Sequence, residues 1–295
     1  KFRILPRCFG RYTFDDEEII AAEIEEICVS TSSLSLDDYY ECRSFALTEG
    51  LFYQDKILFE LYGFLKNFNI FPSDLIPELH KRRLTFSQGI TDLYNSFDND
   101  TRHELFDDRE KLSQLIKTDR GIIDKHISGE LGVNVLFKHR AISTLNLIDD
   151  IYDAAFSVSC KLLQEKDSKL YIKYKSFLEE LKIFCTLQKR NVFDYDKIFE
   201  HTFNYNFKNL MNDKFQTLPE KNDVPLHIKF YTGDEQKQLI KEQLVERGSD
   251  INGIGKILSR TLGSMLQRTV DVNKQEKEKI LHKDIEIATS PGEFV

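Results

Sequence analysis

The 295-residue chain contains no tryptophan, only two methionines and few turn-forming residues, with 13 glycines and 6 prolines. An all-β architecture needs many tight turns, so this scarcity of glycine and proline favours long helices. Extensive disorder is also disfavoured, because hydrophobic residues make up 41% of the chain and aromatic residues 12%. We therefore expect a folded, mainly α-helical protein.

The sequence also lacks the spacings that hold metals or form a disulfide framework. Its cysteines are odd in number and far apart, at Cys8, Cys28, Cys42, Cys160 and Cys185. Neither CxxC nor CxxxCxxC occurs, and the histidines show no HExxH spacing. We interpret the cysteines as reduced thiols that pack as small hydrophobic side chains.

Charge and hydropathy exclude further classes of protein. The formal net charge is −8, and the one dense basic patch, His80-Lys81-Arg82-Arg83, is short. Binding to a nucleic-acid duplex is disfavoured, because it needs a larger basic face. No apolar run approaches the roughly 20 residues that span a bilayer, and no signal-peptide pattern opens the chain. We expect a cytoplasmic protein without a membrane span.

The beginning of the chain suggests that a longer polypeptide precedes it. Lys1 stands where a methionine is usual, and it leads straight into the strand-like run Phe2-Arg3-Ile4-Leu5. We expect the chain to be the C-terminal part of a larger enzyme. We divide it into strands at 1–34, a helical domain at 35–271 with a possible break near 218–225, and a charged tail at 272–295.

Local signals predict the main elements. Strands are predicted at 2–5 and 23–30, with an acidic turn at 15–18 between them. Ser35 is expected to cap a helix that has Asp37 and Asp38 in its first turn, and Pro72 is expected in the first turn of another. Apolar spacing of three and four residues predicts further helices at 86–97, 103–118, 139–165, 167–190, 195–212, 234–248 and 251–266.

Three other segments are read from turn residues and alternation. The polar run 98–103 predicts a loop, and residues 226–231 form either a short strand or an extended lead-in. Gly121, Gly129 and Gly132 leave the element boundaries between 119 and 138 undefined. The run Asn252-Gly253-Ile254-Gly255-Lys256 lacks the spacing of a phosphate-binding loop, so its glycines are interpreted as close-packing positions in a short helix.

One acidic motif offers an independent chemistry. Asp149, Asp150 and Asp153 spell DDxxD in a predicted helix, which places Asp149 and Asp153 one turn apart. Carboxylate oxygens are ligands that Mg²⁺ prefers. The motif resembles the aspartate-rich motif of class I terpene synthases and prenyltransferases. That resemblance implies an alternative function, a Mg²⁺-dependent enzyme acting on an isoprenyl diphosphate.

The rest of that family's metal site is incomplete. Asn212 and Glu220 have the spacing of the second motif, but Gln216 stands where that family has Ser or Thr. Pro219 predicts that the helix has already ended. The gap between Asp153 and Asn212 is also much shorter than in that family. We therefore favour the interpretation that the DDxxD motif is a solvated acidic helix edge.

Three other stretches resemble a different family. They are KFRILPRCFGRY at 1–12, EEICVSTSSLSLDDYYECR at 25–43, and IKFYTGDEQK at 228–237 followed by GIGKILSR at 253–260. They are similar to the C-terminal region of radical SAM proteins that carry an N-terminal cobalamin-binding domain. The stretch 25–43 is the most telling: an acidic-apolar strand, a Ser/Thr loop, then Ser-x-Asp-Asp-aromatic opening a helix. Between 66 and 225 only helical character matches.

The resemblance implies a parent with a partial TIM-type barrel and a CxxxCxxC loop that holds a [4Fe–4S] cluster and S-adenosylmethionine, together with cobalamin. This chain lacks that loop. No cluster ligand, no cobalamin ligand and no catalytic residue is therefore carried over onto any of its positions. The cofactors are implied for the full-length parent and not for this chain alone.

The resemblance also implies a role for each part of the chain. Residues 1–34 would supply the last strands of the barrel, and the helices would cover the active site or shape substrate access, since radical intermediates must be shielded from water. The partners implied are the upstream barrel domain of the same polypeptide and a small-molecule substrate, whose identity and reaction the sequence does not define. A non-catalytic helical interaction module is the third hypothesis.

Overall fold

The computed structural model describes residues 1–54, 56–128, 132–261 and 263–272, and it is mainly helical with a few small strands, as predicted. The predicted tail lies outside the described residues except for Val272, and so does Gly129. The chain divides into two compact units. The first contains residues 1–55, 76–151 and 242–262, and the second contains 56–75, 152–241 and 263–295. No helix in the described ranges is long and apolar enough to cross a membrane.

The helices are α1 Leu36–Glu49, α2 Phe59–Lys66, α3 Pro72–Lys81, α4 Gln88–His103, α5 Arg109–Thr118, α6 Arg120–Ser128, α7 Val135–Asn146, α8 Ile148–Lys166, α9 Ser168–Lys189, α10 Phe207–Asn212, α11 Asp234–Arg247, α12 Ile251–Arg260 and α13 Gly263–Leu266. A π-helical turn, Gly50–Gln54, follows α1 directly. The strands are β1 Phe2–Phe14, β2 Glu17–Cys28, β3 Phe199–Tyr205, β4 Lys221–Tyr231 and β5 Thr269–Val272.

The first unit begins with a long β-hairpin. β1 and β2 pair antiparallel from Phe2 opposite Cys28 to Phe14 opposite Glu17. The turn residues Asp15 and Asp16 have φ angles of 47° and 63°, and two consecutive positive φ angles suit the twist of a two-residue hairpin. Successive strands of a TIM-type barrel are instead parallel and joined by helices. The hairpin therefore differs from two successive barrel strands, and its link to a barrel stays a proposal.

Helix α1 begins at the predicted cap. The Ser35 hydroxyl accepts a hydrogen bond from the backbone N–H of Asp38, while the Asp38 carboxylate accepts one from the backbone N–H of Ser35 at 2.9 Å. This reciprocal capping box satisfies two backbone donors that a helix start otherwise leaves without a partner. The hydrogen bonds from Ser35 also lower the pKa of the Asp38 carboxyl. The capping prediction is confirmed.

The core of the first unit forms where α1, α4, α7 and α12 pack together. Helix α4 buries Ile90, Leu93, Tyr94 and Phe97 at helical spacing. A Cβ atom on Gly255 of α12 would lie 2.8 Å from the backbone oxygen of Phe137 in α7. The glycine therefore permits a close approach of two helix backbones, and the interpretation of this segment as a packing helix is confirmed.

The second unit has an aromatic core around α9. Phe177 and Phe184 of this helix stack on Phe207, with ring centroids 5.6 Å and 4.7 Å apart. Phe203 of β3 and Phe230 of β4 meet Phe184 edge to face. The three-stranded antiparallel sheet has the order β3-β4-β5. Its pairing shows that residues 226–231 belong to a strand, which resolves the alternative left open by the sequence.

Several predicted boundaries are wrong. Residues 98–103 are the last turns of α4 and not a loop, since Phe97 and Thr101 are buried on its inner face. The helix predicted at 195–212 is β3 followed by the short α10. The helix predicted at 103–118 begins at Arg109, and the one predicted at 139–165 is divided between α7 and α8. The polar run at 98–103 and the apolar spacing of the three other segments were each compatible with both outcomes, and contacts with distant parts of the chain determine which one forms.

Candidate functional site

A cavity of about 580 Å³ lies in the first unit. Small-molecule sites are commonly of about 300–1,000 Å³. Its walls come from both strands of the hairpin, from α1, α4, α6, α7 and α12, and from the connections that precede α5 and α7. The lining residues are Leu5, Pro6, Ile27, Tyr39, Arg43, Asp100, His103, Glu104, Phe106, His126, Gly132, Val133, Asn134, Val135, Lys138, Ile251 and Asn252.

The hairpin is fixed to the rest of this wall by backbone pairing. Ile4 and Phe106 exchange two backbone hydrogen bonds, each 2.8 Å long. Arg3 also forms an ion pair with Asp107. Ile4 and Leu5 are buried, which anchors the hairpin base through apolar contact as well. The strands therefore provide one apolar side of the cavity.

Two ion pairs line the cavity. The Lys138 ammonium donates to Oδ2 of Asp100 at 2.6 Å, and the Arg43 guanidinium donates through Nη2 to Oε1 of Glu104 at 3.3 Å. Asp100 and Glu104 stand four residues apart, at the end of α4, so their side chains share one side of the helix. The four side chains are between 19% and 36% exposed. Solvent therefore screens the attraction within these two ion pairs only partly.

His139 lies on the buried side of Asp100, with its Nε2 3.8 Å from Oδ2 of that carboxylate. Its Nδ1–H donates to the backbone oxygen of Val135 at 2.8 Å, and its Nε2 lies 3.2 Å from the Ser96 hydroxyl. Burial lowers the pKa of His139, so the ring is neutral near pH 7 and Nε2 accepts a hydrogen bond from the Ser96 hydroxyl. Lys138 is therefore the charged partner of Asp100.

Two histidines on the cavity wall share one orientation. Nδ1 of His103 lies 2.7 Å from the backbone oxygen of Asn99, and Nδ1 of His126 lies 2.8 Å from that of Ile122. A carbonyl oxygen only accepts, so both Nδ1 atoms carry the proton. The chemistry that each ring can offer a ligand is consequently that of Nε2, as an acceptor when neutral or a donor when protonated.

A second polar network lies in the core of the same unit. The Thr48 hydroxyl is 2.7 Å from the Tyr94 hydroxyl and 2.8 Å from Nδ1 of His80. Nε2 of His80 is 2.8 Å from Glu41, whose other oxygen accepts from Arg83 at 2.8 Å. With His80 neutral, the bonds run from Tyr94 through Thr48 to His80 and on to the Glu41 carboxylate.

The order of hydroxyl, imidazole and carboxylate in this network matches that of a nucleophile with its base and orienting acid. Thr48, however, is fully buried, and Tyr94 is 1% exposed. A substrate has no access to the hydroxyl in this conformation. We therefore assign the network a role in stability, in which it joins α1, α3 and α4.

His80 should make the first unit sensitive to mild acid. Burial lowers the folded-state pKa of His80 below its unfolded value of about 6.5. The unfolded state then binds more protons between these two pKa values, so the free energy of unfolding falls as pH drops below about 6.5. Urea unfolding between pH 7.5 and 5.0 should show less of this loss in His80→Gln than in the unchanged chain. Equal pH dependence in both would contradict the assignment.

The acidic motif falls at the beginning of α8. Asp149 and Asp150 lie in the first helical turn, where carboxylates complement the helix dipole. Asp153 accepts a hydrogen bond from Lys182 at 2.7 Å. Helix α10 ends at Asn212, so Glu220 lies beyond it, as Pro219 predicted. Within the described ranges no group of three metal-ligating side chains is present, so the magnesium hypothesis gains no support there.

Sequence reasoning missed the cavity residues. They come from segments that lie far apart in the chain, and no short motif joins them. The one local signal was the spacing of Asp100 and Glu104, but the sequence placed Asp100 in a loop. Ile27, Tyr39 and Arg43 do fall within the stretch 25–43, which carried the family resemblance.

Comparison with known proteins gives no match: no family, no curated protein and no solved structure is significantly similar to this chain.

Proposed function

We propose that this chain is the helical, substrate-side part of a radical SAM enzyme whose cluster-binding barrel belongs to another part of the same polypeptide. One observation carries the proposal. The stretches at 1–12 and 25–43, which resemble the C-terminal region of that family, contribute Leu5, Pro6, Ile27, Tyr39 and Arg43 to one cavity. Segments that were selected by resemblance alone thus contribute to the same cavity of the first unit, which is large enough for a small molecule.

The cysteines whose side chains the structure describes do not fit the iron–sulfur cluster itself. Of the cysteines whose side chains are described, Cys28 and Cys42 are exposed, Cys160 is partly exposed and Cys185 is buried. No three of them are grouped in the described ranges, whereas such a cluster needs several thiolates close together. The proposal therefore assigns the cluster and S-adenosylmethionine to the parent's barrel.

In this proposal, the chain binds and orients the substrate and shields the reactive intermediate from water. The cavity combines an apolar side, from Leu5, Pro6, Ile27 and Phe106, with two ion pairs that can fix the direction of a polar substrate group. Its packed helices limit the access of water, which protects a reactive intermediate from side reactions. Cobalamin, which the resemblance also implies, belongs to a domain outside this chain.

Reading the gene upstream of the Lys1 codon tests the proposal at little effort. We expect an open reading frame that continues upstream and encodes a CxxxCxxC motif after a predicted strand. An in-frame stop codon directly upstream, with no such motif in the preceding sequence, would contradict the proposal. The test depends on no property of the cavity.

A further inference from the structure

We infer that the cavity of the first unit binds a small organic anion, a carboxylate or phosphate attached to an apolar body, through Arg43 and Lys138. The inference deepens the proposed function by naming a ligand class. It rests on that function only where the ligand is called a substrate, because the binding itself needs nothing beyond this chain.

The two cations of the cavity have more N–H donors than their carboxylate partners use. A guanidinium has five N–H donors and an ammonium three, while each carboxylate partner here takes one of them at short distance, Glu104 from Arg43 and Asp100 from Lys138. Nε of Arg43 is buried and has no hydrogen-bond partner among the described residues. A buried donor of this kind costs about 1–3 kcal/mol when it stays unpaired. A ligand oxygen would satisfy it.

The other polar groups of the cavity also favour a negatively charged ligand. Val135 and Ile251 are the first residues of α7 and α12, and both line the cavity together with Asn252. The start of α7, which the neutral Asn134 side chain caps, adds its partial positive charge to that of the two cations, whereas the start of α12 is already capped by the Asp250 carboxylate. A cationic ligand is disfavoured, because Asp100 and Glu104 already have Lys138 and Arg43 as partners.

The apolar wall defines the rest of the ligand. Leu5, Pro6, Ile27, Phe106 and Val133 offer hydrocarbon surface in the same cavity as a small number of charged groups. Such an arrangement suits a molecule with one acidic group on a hydrocarbon or aromatic body. Inorganic phosphate or sulfate would leave this surface exposed to water, so they are expected to bind more weakly than an aromatic acid.

Ligand-detected NMR on the whole chain tests the inference, with benzoate and phenyl phosphate as anionic probes and benzamide as the neutral probe of matched size. We expect both anions to bind with dissociation constants in the millimolar range or below, and benzamide at least about tenfold more weakly. The ranking of benzoate against phenyl phosphate then identifies which acid the cavity prefers.

Variants locate the binding. Arg43→Gln and Lys138→Gln should each weaken anion binding at least about tenfold, while Arg43→Lys, which keeps the charge and removes the Nε donor, should weaken it less. The exposed Arg260→Gln and Lys117→Gln are matched controls in the same unit and should bind like the unchanged chain. Circular dichroism checks that each variant is folded. If Arg43→Gln is unfolded, the anion affinity of Lys138→Gln alone tests whether the cavity is the binding site.

Three results would overturn the inference. They are anion binding that neither cavity variant weakens, benzamide binding as strongly as benzoate, and no binding of either anion up to about 10 mM. None of them bears on the upstream gene sequence. Failure of the ligand assignment is thus distinguishable from failure of the proposed function.

Discussion

Arg268→Met is expected to lower the free energy of unfolding of the second unit by about 3–5 kcal/mol. The Arg268 side chain is 2% exposed, and its guanidinium donates to four backbone oxygens between α9 and β3. Nη2 lies 2.8 Å from the oxygen of Asn191 and 3.2 Å from that of Asp194, and the other two acceptors belong to Arg190 and Lys197. Methionine fills similar space but leaves these oxygens without a donor.

Native-state hydrogen exchange is the measurement that isolates this effect. Amides in residues 190–199 should lose protection in Arg268→Met, and largely also in Arg268→Lys, because an ammonium cannot reach four acceptors that a planar guanidinium spans. The exposed Lys169→Met, in the same unit, is the control and should leave exchange unchanged. Normal protection of residues 190–199 in both Arg268 variants would show that the guanidinium does not hold this segment.

Removing either partner of the Glu60–Lys189 ion pair should also be costly, by about 3–5 kcal/mol. Oε2 of Glu60 lies 2.5 Å from Nζ of Lys189, and the two side chains are 2% and 4% exposed. The Cys185 thiol also donates to Oε2 at 3.7 Å, and burial holds the pKa of this thiol well above its usual range. Each single substitution, Glu60→Leu or Lys189→Met, leaves one charge buried without its counter-ion.

The double variant distinguishes two effects: the loss of the ion-pair attraction, and the cost of burying one charge without its counter-ion. Glu60→Leu combined with Lys189→Met removes both charges, so its stability should lie within about 1–2 kcal/mol of the unchanged chain. Urea unfolding of the four proteins gives the complete cycle. If the two single losses simply add in the double variant, the pair is not coupled and this account of the buried pair is wrong.

Local signals in the sequence predicted local structure well. The Ser35 cap, the start of α3 at Pro72 and the long α9 follow from interactions among residues that are close in the chain. Helix α9 was predicted at 167–190 and spans Ser168–Lys189, since apolar residues recur at three and four positions throughout it. Such features need no knowledge of the tertiary fold.

Features that depend on distant partners could not be read in the same way. Phe199, Phe203 and Phe207 recur every four residues, which predicts a helix, but pairing with β4 places the first two in a strand. The polar run at 98–103 looks like a loop until Lys138 of α7 is known to bind Asp100. Only the pairing of segments distant in sequence distinguishes these outcomes.

The residues of the cavity likewise could not be identified from the sequence, because their roles depend on partners that are distant in the chain. Arg43 and Lys138 are ordinary basic residues in their own helices, and their role depends on Glu104 and Asp100 at the end of α4. Asp149 and Asp150, which spell a motif, lie in the first turn of a helix where carboxylates are common. The stretches that carry the resemblance include Arg43, whereas its pairing with Glu104 and the pairing of Lys138 with Asp100 became visible only through the fold.

The most direct test of the proposed function is reductive cleavage of S-adenosylmethionine by the longer polypeptide that the proposal predicts, purified without oxygen and reduced chemically. Formation of 5′-deoxyadenosine, measured by mass spectrometry and dependent on both reductant and reconstituted iron, is the predicted result. A full-length polypeptide that forms no 5′-deoxyadenosine above the level without protein, although it is folded and iron-loaded, would contradict the account.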